Sequence, residues 1–277
     1  MPYSSDLTDE EWEILEPLLL QILPTKKPTR PSNWTKRKIF NGILYQLKNG
    51  CNWCDLQARL ATLLNTLLAL QTVASRRGVR ATDEHLAWRS SPAGQKKTKW
   101  TTLIIIDSQA VKNTCNASVD SKGYCFYKAT NGIKRHLAID TLGFPFFTHC
   151  TPANVSDDRG LVEMLSDNID YFRSKPVNIP KITILLDHGY HLDYLTQELE
   201  RIYPQIMTKI RFERSTKPSK QEKAAQGKSG FVPAVARWVI ERSNAWMEHC
   251  KILVKNGEAN LSQCHNQNQP LLHQVND

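Results

Sequence analysis

The stretch Leu103-Ile104-Ile105-Ile106-Asp107-Ser108 constrains the fold more than any other part of the chain. Four consecutive large apolar residues, three of them β-branched, predict a strand buried on both faces, in the middle of a sheet covered by helices. The run stops at a carboxylate. A rigid central strand with an Asp at its C-terminal edge is how α/β sheets present catalytic groups to a crevice. The same residue type also opens turns, and Asp107 alone does not separate the two readings.

A second stretch follows the same pattern. Ile182-Thr183-Ile184-Leu185-Leu186-Asp187-His188-Gly189-Tyr190 is an apolar strand that stops at Asp187, with Gly189 able to turn the chain sharply. Two strand-end carboxylates suit a hard cation such as Mg²⁺, which prefers oxygen ligands and takes one or two from the protein. Glu241 is the third candidate. Val235, Trp238, Val239 and Trp246 recur at helical spacing, so Glu241 lies beside the buried stripe of a helix. Arg237, four positions earlier on the same face, offers Glu241 a structural role as a salt-bridge partner instead.

At these residues the chain resembles the DDE transposases of bacterial insertion sequences, most closely the insertion-sequence-five family. The matching pieces are Ile106–Lys112, Gly132–His136, Asp140–Pro145, Thr151–Asp157, Asp187–Tyr190 and Arg237–Arg242, in the family's order. The resemblance implies an α/β, ribonuclease-H-like mixed sheet flanked by helices, with a small all-α amino-terminal DNA-binding domain. It implies Asp107, Asp187 and Glu241 as a catalytic, metal-binding triad for two Mg²⁺ ions, with Mn²⁺ able to substitute. The implied reaction is transposition of an insertion sequence, by metal-dependent DNA strand cleavage and strand transfer at terminal inverted repeats. The implied partners are double-stranded DNA, as element ends and target, and a second copy in a homodimer or larger synaptic complex. Two rival functions stand beside it: an inactive DNA-binding remnant, and a non-specific metal-dependent nuclease of the same fold.

On that basis the chain divides at 1–56, an amino-terminal helical DNA-binding domain; 57–98, an atypical connecting segment; 99–256, the catalytic domain; and 257–277, a disordered tail. In the amino-terminal part, Thr8-Asp9-Glu10-Glu11 predicts a capping box, and Trp12, Leu15, Leu19 and Ile22 the apolar face of a first helix. The basic stretch from Lys26 to Lys38 leads into a second helix with Ile39, Phe40, Ile43, Leu44 and Leu47 inward and Gly50 as its left-handed cap. Lys36 and Arg37 there are candidate phosphate contacts, as are Lys134 and Arg135 on a predicted strand and Arg237, Arg242 and Lys251 around the Glu241 helix. His188 stands where the family commonly has Lys and is expected to meet phosphate or solvent. A strand is also expected around Ile206–Ile210.

Between 57 and 98 the family pattern fails. Leu63 to Ser75 is nearly all apolar and has no two-sided spacing, so it makes a poor surface helix. Shifting plausible codons for Leu64–Ser75 by one base restores the family's pattern, and a similar shift extends the helical pattern into the tail. A frame disruption in both segments is therefore expected.

The remaining composition is consistent with that reading. A formal net charge of +9 over 277 residues favours a polyanionic partner. Seven scattered cysteines form a reduced pattern rather than a disulfide framework, and Cys51 and Cys54 lack the second pair a zinc site needs. No apolar run is long enough for a bilayer and the start is polar, so a cytoplasmic protein with no membrane partner is expected.

Overall fold

The computed structural model describes residues 3–22, 34–51, 55–56, 101–215 and 237–257. The readings made for 57–98 and for the tail beyond 257, including the frame disruptions, lie outside these residues.

The apolar run at 103–106 does form the centre of a sheet. β1 (Leu103–Lys112) lies between β3 (Thr130–Ile139), its antiparallel neighbour, and β5 (Ile182–Leu186), its parallel one. β6 (Ile210–Arg214) continues the parallel side from β5. On the other side β3 also pairs antiparallel with β2 (Gly123–Cys125) and β4 (Pro145–Pro152), giving six strands. One expectation changes: β1 does not stop at Asp107 but runs on to Lys112, because β3 goes on pairing with it as far as Lys112↔Gly132. Asp107 therefore lies inside a strand.

Alternation along β1 decides which face each residue serves. Ile104 and Ile106, at 0% and 2% exposure, enter a core with Leu161, Met164 and Leu165 of α3 (Asp157–Asp167) and Leu195 and Leu199 of α5 (Leu192–Ile202). Between α3 and β5 runs the short α4 (Ile169–Ser174), whose Phe172 joins the same core. Ile105 enters the opposite core with Val239, Ile240 and Met247 of α6 (Arg237–Glu248) and Leu253 of α7 (Lys251–Val254). Each such aliphatic burial contributes about 1.5–3 kcal/mol, and covering both faces accounts for the unbroken apolar run. Asp107, two residues after Ile105, shares the α6 face.

The amino-terminal helices form as expected. In α1 (Asp9–Ile22), Glu11 N–H donates to Thr8 Oγ1 (3.2 Å) and Thr8 N–H to Glu11 Oε2 (2.5 Å), the reciprocal capping box. In α2 (Lys36–Asn49), Thr35 caps the start and Gly50 (φ 67°) the end. Ile43 and Leu47 of α2 belong to the same core as Ile105 and Val239, so this helix packs directly on the sheet assembly. The expected strand at Ile206–Ile210 is corrected: Ile206–Thr208 is one 3₁₀ turn, started by Gln205 at φ 73°, and pairing begins only at Ile210. Among the described residues no helix is long and apolar enough to cross a membrane.

Candidate active site

The parallel register brings the two aspartates together. Leu103 pairs with Thr183, Ile104 with Ile184 and Ile105 with Leu185, a constant offset that sets Asp107 beside Asp187 just beyond the end of β5. Both line a small cleft with Ile105, Leu185, Ser215 and Arg237. Burial, with the nearby Asp187 adding to it, raises the Asp107 carboxyl above its ordinary value, against Lys128 and Arg237, which act the other way.

Glu241 reaches this cleft through Arg237. The Arg237 guanidinium donates from Nη1 to Asp187 Oδ1 (2.6 Å) and from Nε to Glu241 Oε1 (3.1 Å), so it ties two of the three candidate carboxylates together. The salt bridge read from the i,i+4 spacing is present, and the same arginine also holds Asp187. Those carboxylates keep Arg237 above its ordinary value although burial acts downward. The acidic oxygens of Asp107 and Asp187 fit a hard divalent cation in donor chemistry. Among the described residues no group of three His, Cys, Asp or Glu side chains is gathered for a metal, and Glu241 is engaged by Arg237.

The face of α6 that carries Glu241 is stitched to β1. Asn244 Nδ2 donates to Asp107 Oδ2 (3.0 Å), and Gln109 Nε2 donates to Glu248 Oε1 (2.9 Å). Four residues of helix rise about 6 Å and two of strand about 6.7 Å, so the two rows stay in step. Asn244 Oδ1 is buried without a hydrogen-bond partner beside Asp107. Neither Asn244 nor Lys128, whose Nζ donates to Ser108 O (2.8 Å), is among the residues picked out from the sequence. The only local signal for Asn244 is its place one turn after Glu241.

The candidate DNA contacts divide. Lys134 and Arg135, at 7% and 3% exposure, are internal groups in this structure. Lys134 Nζ pairs with Asp157 (2.9 Å) and donates to Val155 O, and Arg135 Nη2 donates to Leu253 O (3.2 Å). On this central strand both faces are covered, so side chains alternating to either side are enclosed. Arg242 stacks between Trp238 (4.7 Å) and Trp246 (4.6 Å) and donates to Leu142 O, clamping α6 to the β3–β4 hairpin, whose turn Gly143 makes at φ 95°. Arg37 ties the two amino-terminal helices together through Asp9 (2.6 Å) and Leu7 O. Lys251 and His188 are exposed and Lys36 is half-buried.

Under the site lies a polar seam on the opposite face of the sheet. His136, at 0% exposure, meets Thr151 Oγ1 (3.1 Å), and burial pushes its pKa down to about 3. Burial acts upward on Asp157, yet the Lys134 hydrogen bond and charge hold its carboxyl below the ordinary value. Asp158, in the first turn of α3, accepts from His191 through N–H (2.9 Å) and Nδ1 (2.7 Å).

A mixed sheet, with a central antiparallel strand and a parallel neighbour each presenting an Asp to one cleft, is the ribonuclease-H-like arrangement. Comparison with known proteins agrees. Residues 100–260 match the family model described as "Transposase DDE domain", and residues 7–72 match one described as "Putative transposase of IS4/5 family". The chain belongs to the DDE transposase family. The second match continues past the boundary drawn at 56. A curated relative, "Putative transposase for insertion sequence element IS402" from Burkholderia cepacia, is 27% identical over 128 residues, 46% of this chain and 54% of the relative. The chain thus spans about half the length of that relative. No solved structure matches.

Proposed function

We propose that this chain is the transposase of an insertion sequence and cuts and joins DNA strands at the element's terminal inverted repeats. One observation carries the reading: the β1–β5 register sets Asp107 against Asp187 on the face covered by the helix of Glu241. Asp107, Asp187 and Glu241 would hold two divalent ions, Mg²⁺ or Mn²⁺, with Glu241 free to join once Arg237 moves off it. Bound there, such ions lower the pKa of an attacking water or 3′-hydroxyl and stabilise the leaving oxygen.

The chain's own residues supply the rest. Asn244 fixes the Asp107 carboxylate, and Arg237 balances the charge of Asp187 and Glu241 in the resting protein. Displaced, Arg237 is placed to meet a DNA phosphate, and Lys128 stands one residue from Asp107 for the same purpose. The amino-terminal helices, with Lys36 and Arg37, are assigned to recognising the ends, and Lys251 to the DNA backbone. Double-stranded DNA and a second copy in a synaptic complex are the partners.

A second reading, a DNA-binding remnant without chemistry, draws on the hold of Arg237 on both Asp187 and Glu241. Mn²⁺ binding, followed by its electron paramagnetic resonance, separates the two. The transposase reading expects saturable binding by the full chain that Asp107→Ala and Asp187→Ala each weaken at least about tenfold, as lost ligands do. Equal binding by all three proteins would contradict it.

A further inference from the structure

Phe126 and Tyr127 are the two most exposed aromatic side chains among the described residues, at 84% and 101%. They stand at the tip of the β2–β3 hairpin, between the buried Cys125 and Thr130. The tip is held rather than loose. Ala129 N–H donates to Phe126 O (3.3 Å), Thr130 Oγ1 donates to Lys128 O (2.7 Å), and the Tyr124 ring meets Phe126 edge-on at 5.0 Å. Ala129 adopts φ 43°, a left-handed conformation that costs a residue with a Cβ about 1–2 kcal/mol and that the surrounding bonds maintain. The turn folds back over the sheet, so that Lys128 Nζ reaches the carbonyl of Ser108, next to Asp107.

We propose that Phe126 and Tyr127 form a stacking platform for an unpaired base of the DNA strand whose phosphate lies at Asp107 and Asp187. This rests on the reading of that pair as the site of DNA chemistry. Solvent-facing rings on a hydrogen-bonded turn beside a cation are the combination that takes a base on a ring and its phosphate on the ammonium. The net charge of +9 complements a nucleic acid. A second copy of the chain fits less well. Two aromatic side chains bury at most about 500 Å², below the roughly 800 Å² per partner that a stable interface needs.

The test measures binding of the full chain, with Ca²⁺ as the hard cation for the carboxylates and gels run to check that the DNA stays uncut, to a blunt duplex and to the same duplex with a short 3′ overhang carrying 2-aminopurine. The wild type is expected to bind the overhang roughly tenfold more tightly, in line with one base stacked on an aromatic ring, and to quench its fluorescence. Phe126→Ala with Tyr127→Ala removes preference and quenching but keeps blunt-duplex affinity within about twofold, since both rings lie outside the core; Tyr127→Phe retains both signals. Unchanged preference and quenching in the double variant would overturn the platform. So would loss of preference that tracks dissociation of a dimer in sedimentation. Failure of the wild type to bind either duplex would instead bring down the transposase reading, and the platform with it.

Discussion

Asn244 is the residue on which the Asp107 carboxylate depends for its orientation, because its amide donates to Asp107 Oδ2 at 3.0 Å while its own oxygen stays unpaired. Asn244→Ala is expected to reduce strand cleavage by about 10- to 100-fold, as loss of a residue that orients a metal ligand does, with little change in DNA affinity. Cleavage within twofold of wild type would remove Asn244 from this role. A separate prediction concerns His136. Its folded pKa of about 3 lies below the unfolded value near 6.5, so the unfolded chain binds more protons in that window. Stability therefore falls as pH drops below about 6.5, by up to roughly 1.4 kcal/mol per unit, and levels off near 3. His136→Gln should flatten this slope in urea unfolding at a series of pH values; an unchanged slope would assign it to other groups. At this scale Asp107 and Asp187 were legible because an apolar strand that meets a carboxylate is a local pattern. The burial of Lys134 and Arg135 was not legible because their partners, Asp157 and Leu253 O, are distant in sequence and nothing local announces it. Asn244 was missed for the same reason: its meaning comes from β1 lying across α6.

Among the elements, the start of α1 and the end of α2 were readable because caps use neighbouring residues: Thr8 with Glu11, and Gly50, left-handed at φ 67°, with Gln46. The Ile-Met-Thr run at 206–208 carries β-formers, yet the left-handed Gln205 commits it to a 3₁₀ turn. The full length of β1 was hidden because its second half, from Ser108 to Lys112, is mixed in polarity and is held by pairing with β3. Two predictions belong here. A Cβ at Gly160 would fall 2.1 Å from His136 Nε2, so Gly160→Ala should cost about 1–3 kcal/mol by overpacking α3 against β3. Thermal unfolding unchanged from wild type would show that His136 can move aside. Leu47 of α2 is 1% exposed in the core it shares with Ile105. Leu47→Ala should cost about 2–5 kcal/mol in one cooperative transition. Two separate transitions would show that the amino-terminal helices fold on their own.

For the molecule as a whole, the sheet fixes where the paired carboxylates stand, and the proposed function needs cations near them to meet DNA. Among the described residues Lys134 and Arg135 are internal and Arg242 is stacked between two tryptophans, whereas Lys128, beside Asp107, and Arg237, held by Asp187 and Glu241, stand near the cleft. The family was legible because separate motifs fall in one order along the sequence, and the match to a DDE transposase model over 100–260 agrees with it. The central claim is that Asp107, Asp187 and Glu241 form one site for cutting and joining DNA. The most direct test incubates the full chain with Mg²⁺ and a DNA fragment bearing the element's own ends, and follows both nicked and joined products. The account predicts both products for the wild type, neither in EDTA, and neither for Asp107→Asn, Asp187→Asn or Glu241→Gln, each of which still binds the fragment. Cleavage and joining that survive any one of those three substitutions would contradict it.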